Sequence, residues 1–252
     1  MSRKEVYEKE IEFHNNLLLI ENTRKNLEKY YVITNKVDQY IKNSIGFNCR
    51  DKKLLDYGCS SGAESIFWAK KGAIVTGIDI SSEAIKKAKI GANNNNLNIK
   101  FLVDNAEHTN FIDNSFDLII GRSILHHLDL RNSYKELSRL IKSNGRVVFM
   151  EPLGHNPLIN LFRRLTPTQR TEDEHPFKMS DLDLLHEYFD SVDIKFFNLF
   201  TIASVPFRNF FFFTTLYETL SKLDKFLLKK IPYTKRYFWM VVMTLSLPKS
   251  QS

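Results

Sequence analysis

Between Lys53 and Met150 the chain repeats one rhythm: a short apolar run, a turn, a helical stretch, and then the next run. The apolar runs are Lys53–Tyr57, Ala73–Ile80, Ile99–Val103, Phe116–Ile120 and Arg146–Met150. Helical stretches fall at Ala63–Lys70, after the capping hydroxyls Ser81 and Ser82 with Ile85 and Ala88 following, and at Tyr134–Ile141. Gly91–Asn96 (GANNNN) reads as a loop, and Ser143–Gly145 as the stop of the third helix. Strands alternating with helices at such short intervals specify an α/β architecture with a parallel, doubly wound sheet.

Open sheets of this kind bind ligands beyond the carboxyl ends of their strands, so the first strand-to-helix turn is the place to look for chemistry. It reads LLDYGCSSGAE, Leu54 to Glu64. A pyrophosphate turn would carry G-x-G-x-x-G at the head of the helix. This turn offers only Gly58 and Gly62, with the acid Asp56 just before them. A carboxylate there repels pyrophosphate and suits a ligand bearing a positive group. Ser60 stands where such turns often have glycine. If it takes a positive φ it carries strain, and Ser60→Gly is then expected to tighten ligand binding.

LLDYGCSSG, GIDIS, VDNAE, FDLIIGRSILHHL and NGRVVFMEP, in that order, resemble the motifs of class I S-adenosylmethionine-dependent methyltransferases over roughly residues 50–152. EPLGHNPLINLFRRLTP…RTEDEHP is similar to a subgroup of bacterial small-molecule methyltransferases. The resemblance implies a Rossmann-like, seven-stranded, mostly parallel sheet whose last strand is antiparallel. It implies one methyltransferase domain over 1–252, with an N-terminal helical cap (1–48), a cofactor-binding core (50–151) and two acceptor-cap insertions (152–180 and 200–236). The implied cofactor is S-adenosylmethionine. Asp56 with the backbone of Gly58 and Gly62, in the turn that also holds Cys59 and Ser60, would hold its methionine end. Asp79 would accept both ribose hydroxyls, Ile80 would pack on adenine, and Asp104 and Ala106 would meet the adenine edge. Gly121 would let the sulfonium end approach.

Methyl transfer from a sulfonium asks mainly for alignment and exclusion of water, with a base helping a hydroxyl acceptor. His126 and His127 follow the fourth strand on the expected rim. A base and a loop-holding residue are both open readings of the pair. Glu151, His155, Arg163, Arg164, Arg170, Asp173, Glu174 and His175 lie in or beside the insertion after the fifth strand. Glu151 and His155 join the histidine pair as catalytic candidates. The arginines either bind a carboxylate or phosphate of the acceptor, or pair with Asp173 and Glu174. No compact ligand spacing appears, so no metal is expected.

Charge and composition bound the remaining choices. From residue 201 onward eight Lys and Arg face two carboxylates, so most of the +7 net charge lies there. Phe207, Phe210, Phe211, Phe212 and Phe213 precede a helical stripe of Leu216, Leu220, Leu223, Leu227 and Ile231, with Lys222, Lys225, Lys229 and Lys230 mainly off it. Residues 207–231 read either as a lid on their own domain or as a peripheral contact with an anionic membrane. Nucleic acid is not an expected partner, because no RNA-binding module or base-methylation motif accompanies the charge. MSRKEVYEKEIEFHNN has no apolar core, so no secretory signal is expected, and residues 5–44 read as helices. Two cysteines, Cys49 and Cys59, fit a reducing cytoplasm. The reading is methyl transfer to an oxygen or nitrogen of a small molecule. The alternatives are a lipid or quinone acceptor at a membrane, and a cofactor-binding scaffold without turnover.

Overall fold

The computed structural model describes residues 5, 8, 9, 11, 12, 15, 32–46, 48–165 and 176–249. Residues 5, 8, 9, 11, 12 and 15 are helical. The rest of the helical expectation before Val32 lies outside the described residues. Along the chain come α1 (Asn35–Ile45), β1 (Lys53–Tyr57), α2 (Ala63–Lys70), β2 (Ile74–Asp79), α3 (Ser82–Asn94), β3 (Lys100–Val103) and β4 (Phe116–Arg122). Then follow α4 (Leu130–Leu140), β5 (Ile141–Pro152), α5 (Pro157–Leu165), α6 (Met179–Asp183), β6 (Phe189–Phe197), α7 (Phe213–Lys230) and β7 (Met240–Pro248).

The strands form one seven-stranded sheet in the order β3-β2-β1-β4-β5-β7-β6. All neighbours are parallel until β7, which runs antiparallel between β5 and β6. This is the sheet that the resemblance implies. β1 is buried at every residue after Lys53, as a central strand covered on both faces must be. One face carries Leu55, Tyr57, Ile119, Tyr134, Leu137 and Phe149 into a core. The other packs Leu54, Val75 and Val148 against Trp68 and against Val37, Ile41 and Ile45 of α1.

Two local expectations are corrected. Gly91–Asn94 is helical rather than loop, because continuing α3 buries Ala92 (3% exposed) against Cys59, Ile85, Ala88 and Phe101. That burial outweighs the weak helix propensity of Gly and Asn. Ser143–Gly145 does not stop α4. The helix ends at Leu140, and Ile141 already pairs with Phe116, while the next aligned pair is Leu118 with Arg146. Lys142–Gly145 is therefore an excursion inside the pairing of β5.

The carboxy-terminal helix α7 docks by a seam other than the leucine stripe. α7 buries Tyr217, Ser221 and Asp224. The Asp224 carboxylate accepts the Leu199 and Phe200 amides (3.1 and 2.7 Å) and the Thr201 hydroxyl (3.2 Å). Tyr217 donates to the Ile33 carbonyl at 3.2 Å. Leu223, Phe226 and Ile231 are left exposed.

Candidate functional site

β1 ends in a turn that alternates hands. Gly58, Ser60 and Gly62 all take positive φ, at 78°, 47° and 82°. The amides of Gly58 and Cys59 both donate to the Ile78 carbonyl at 2.9 and 2.8 Å, which hangs the turn on the end of β2. A Cβ at Gly58 would lie 2.7 Å from Ile124 Cγ1, so the turn passes hard against the segment after β4 and only glycine fits.

Asp79 closes the arrangement. Its Oδ2 accepts the Ser60 amide at 2.8 Å and its Oδ1 accepts the Ser81 amide at 2.9 Å. Each oxygen keeps lone-pair capacity, so the carboxylate can still take two hydroxyls of a vicinal diol. Ile80 and Asp104 are half-buried beside it, and the Asp104 amide donates to the Asp79 carbonyl at 3.1 Å. Asn15 of the N-terminal helical segment accepts the Ser81 hydroxyl at 2.6 Å and so reaches the same edge.

The other candidates lie beneath and beyond the turn. Asp56 is buried and accepts the Ser65 hydroxyl at 2.6 Å, tying β1 to α2 beneath the turn. Burial raises its carboxyl from the usual 3.8 to about 7. Cys59 contributes backbone to the turn, but its side chain packs down into the α3 cluster, where burial pushes its thiol well up. Gly121 has an internal reason to be glycine: a Cβ there would stand 2.2 Å from the Phe149 ring. Its missing side chain makes room for that ring in the core. The Ala106 carbonyl is taken by the Tyr57 hydroxyl, which links β1 to the loop after β3. Ala106 is itself buried.

Beyond β4 the structure brings Glu151 and His126 together. Glu151, fully buried at the end of β5, contacts His126 Nδ1 at 2.6 Å through Oε2. Its Oε1 accepts the Ile124 and Leu125 amides at 2.9 and 2.8 Å. His127 stacks beside His126, with ring centres 4.2 Å apart. His155 sits elsewhere, with Lys178 and Arg236 as charged neighbours; burial and those cations hold its pKa down. Arg163 bonds the Leu153 carbonyl (3.4 Å) and Asn160 (3.2 Å). Arg170, Asp173, Glu174 and His175 lie outside the described residues. Among the described residues no group of three or more His, Cys, Asp or Glu is set to hold a metal.

Arg122 is a site-forming residue that the sequence leaves without a role. From the end of β4 it pairs with Asp38 of α1 at 2.5 Å and Glu64 of α2 at 2.7 Å. These three residues, with Thr34, Lys42, Ala63 and Phe67, line a cavity of about 410 Å³ beside the turn. Its only sequence signal is position, immediately after Gly121.

Two predictions follow from the turn. Ser60 holds a positive φ of 47°, so replacing it with glycine relieves backbone strain in the fold itself. Ser60→Gly is expected to stabilise by about 0.5–1 kcal/mol, the left-handed penalty less the entropy cost of glycine, raising Tm by roughly 1–4 °C. Cofactor binding is expected to tighten in the same variant; a tenfold loss would assign the hydroxyl to the ligand. For Asp56, the folded state holds the proton between the unfolded pKa near 3.8 and the folded value of about 7. Its contribution to stability therefore falls as pH rises through that window and levels off above it. Asp56→Asn should gain on the wild type between pH 5 and 7.5 in urea unfolding. A wild-type-to-variant gap that ignores pH would refute the assignment.

A methyltransferase-domain family model matches residues 55–149. The chain is 36% identical over 112 residues to a ubiquinone biosynthesis O-methyltransferase of Coxiella burnetii, covering 44% of this chain and 47% of that one. It is 34% identical over 125 residues to the protein of that name from Pelagibacter ubique, covering 49% and 51%. The chain thus spans about half the length of these relatives. The fold matches Haemonchus contortus phosphoethanolamine N-methyltransferase 2, solved with phosphomonomethylethanolamine and S-adenosylhomocysteine (TM-score 0.64, 17% identity, 94% of this chain and 60% of that one). It also matches a S-adenosylmethionine-dependent methyltransferase of Methanosarcina mazei (TM-score 0.54, 24% identity, 83% and 98%). Residues 55–149 are thus similar to a methyltransferase domain, and the fold is shared with solved S-adenosylmethionine-dependent methyltransferases.

Proposed function

We propose that this chain is a class I methyltransferase that moves a methyl group from S-adenosylmethionine to an oxygen of a small-molecule acceptor. The observation that carries the reading is the Asp79 carboxylate, which joins the glycine turn to the head of α3 while keeping capacity for two hydroxyls. S-adenosylmethionine supplies an electrophilic methyl group on a positively charged sulfur. Asp79 would hold the ribose, Ile80 and Asp104 the adenine side, and the Gly58–Gly62 backbone the methionine end. Asp56 acts beneath them by fixing the turn through Ser65.

Oxygen is favoured by the buried pair at the β4–β5 rim. Glu151 holds His126 through Nδ1, so the ring is fixed at the rim where a proton acceptor for the hydroxyl would stand. Glu151 fixes that ring and the amides of the preceding turn at once, which is how a base is held in one geometry. The similarity to proteins named ubiquinone biosynthesis O-methyltransferase supports the same acceptor atom. The test is transfer of a labelled methyl group to phenolic and amine acceptors and to cell metabolites. Labelled ether products are expected. Cofactor binding with no label transferred to any acceptor would instead support a scaffold.

A second reading, a quinone or lipid acceptor met at a membrane, is favoured by the carboxy-terminal surface. Phe207, Phe210 and Phe211 are 40%, 55% and 99% exposed, and Phe226 of α7 is 56% exposed in a helix carrying Lys222, Lys225, Lys229 and Lys230. Exposed apolar rings followed by a lysine-bearing helix suit an anionic bilayer surface. No helix among the described residues is long and apolar enough to cross a membrane. The protein is expected to pellet with anionic liposomes and to lose most of that binding when Lys225, Lys229 and Lys230 become glutamine. Recovery of the protein in the supernatant would sink this reading.

A further inference from the structure

Three segments converge beyond the carboxyl end of β5. Leu153 pairs with Phe177 in an isolated parallel bridge, and the Gly154 amide donates to the Phe177 carbonyl at 2.9 Å. A Cβ at Gly154 would stand 2.4 Å from Pro176 Cβ, so the two segments are in close contact. On the other side, the Leu153 amide donates to the Trp239 carbonyl at 2.7 Å, and Asn156 Nδ2 to the Tyr237 carbonyl at 2.7 Å. The middle segment carries His155, one flank carries Lys178 and the other Arg236.

The cluster sets two cations, Lys178 and Arg236, against one nearby acid, Asp181. Among the described residues neither Lys178 nor Arg236 has an ion-pair partner. The nearby acid, Asp181, is occupied as a helix cap by the Lys178 amide at 2.7 Å and Ser180 at 3.3 Å. Arg236 is built in. Its guanidinium lies over the rings of Tyr233 and Tyr237 at 5.2 and 5.8 Å, and Nη1 donates to the Tyr233 hydroxyl at 2.6 Å. Its Nε is shielded from solvent without a hydrogen-bond acceptor. Nη2 has no acceptor among the described residues and is not sealed from solvent, so it is the donor that an outside anion can reach. His155 feels both cations, which hold it toward its neutral form and would be offset by an anion.

We propose that His155, Lys178 and Arg236 form an anion subsite that receives a phosphate or carboxylate group of the molecule to be methylated. The inference rests on the methyltransferase reading for the role of that molecule, while the anion site itself rests on the convergence of the three segments. Arg236 supplies the Nη2 donors of its guanidinium, Lys178 a point charge, and Tyr233 and Tyr237 the aromatic walls that hold the guanidinium in place.

Calorimetric titration of the full chain with phenyl phosphate and with phenol tests it. Phenyl phosphate is expected to bind at least tenfold more tightly than phenol. Arg236→Gln and Lys178→Gln should each weaken it at least fivefold, and Lys235→Gln, which removes the same charge next door, by less than twofold. Vesicles of phosphatidylglycerol against phosphatidylcholine separate the sources of the anion. Binding of phenyl phosphate in solution places the anion on a soluble acceptor. Binding to anionic vesicles alone, lost in Arg236→Gln, places it on a lipid headgroup. Equal loss in Lys235→Gln, or no loss in Arg236→Gln and Lys178→Gln, overturns the subsite. S-adenosylmethionine is titrated in parallel: if it fails to bind the wild type while phenyl phosphate obeys the pattern above, the methyltransferase reading falls and the anion site stands.

Discussion

Replacing Glu151 with alanine is expected to cost about 3–5 kcal/mol of folding stability. The side chain is fully buried and answers three donors or ring atoms at once: the Ile124 and Leu125 amides and His126 Nδ1. Its loss leaves two amides and an imidazole without their acceptor in a dry place, each costing about 1–3 kcal/mol in isolation. The turn that carries His126 and His127 would then lose its single geometry. Glu151→Gln keeps one carbonyl oxygen for the two amides and should recover more than half of the loss. Urea unfolding reads both: the midpoint falls at unchanged slope. A shift under 1 kcal/mol in the alanine variant would mean that the turn holds itself, and that Glu151 is no positioning residue.

The second large effect belongs to Asp79. Asp79→Ala is expected to weaken S-adenosylmethionine binding at least 100-fold, about 2.7 kcal/mol, since two charge-assisted hydrogen bonds to a ribose contribute about 1.5–3 kcal/mol each before compensation by water. The variant also frees the Ser60 and Ser81 amides, which brace the turn against the head of α3. Asp79→Asn, with one acceptor oxygen in place of two, should fall between. Calorimetry at one salt concentration separates the three. An alanine variant within fivefold of the wild type would place the ribose elsewhere.

Much of this architecture was legible in the sequence because it rests on patterns that the chain states locally. β1 and α2 begin and end where the apolar run, Asp56, Gly58 and Gly62 suggest, and Ser81 caps α3 as its hydroxyl and position imply. What depends on distant packing was not legible. The Gly91–Asn94 stretch is helical because Ala92 finds a buried place beside Cys59 and Phe101. The approach of the Phe149 ring to Gly121 is set by the neighbouring strand and leaves no local signal. Asp56 and Cys59 show the same gap at the site: the turn was recognisable, but which way each side chain leaves it is decided by Ser65 and by the α3 cluster.

Helix α7 shows the opposite failure. Its leucine stripe is plain in the sequence, yet α7 docks through Asp224, Ser221 and Tyr217. A carboxylate that caps the Leu199 and Phe200 amides leaves no local pattern, because its partners lie some 25 residues away. The meeting of Arg122 with Asp38 and Glu64 is hidden for the same reason.

The central claim is that the turn after β1, with Asp79, is built for a sulfonium nucleoside and not for a pyrophosphate. Titrating the full chain in parallel with S-adenosylmethionine and with oxidised nicotinamide dinucleotide tests this most directly. Saturable binding of one S-adenosylmethionine per chain, with no measurable binding of the dinucleotide, is the predicted result. Dinucleotide binding as tight as or tighter than that of S-adenosylmethionine, or no binding of S-adenosylmethionine at millimolar concentration, would contradict it.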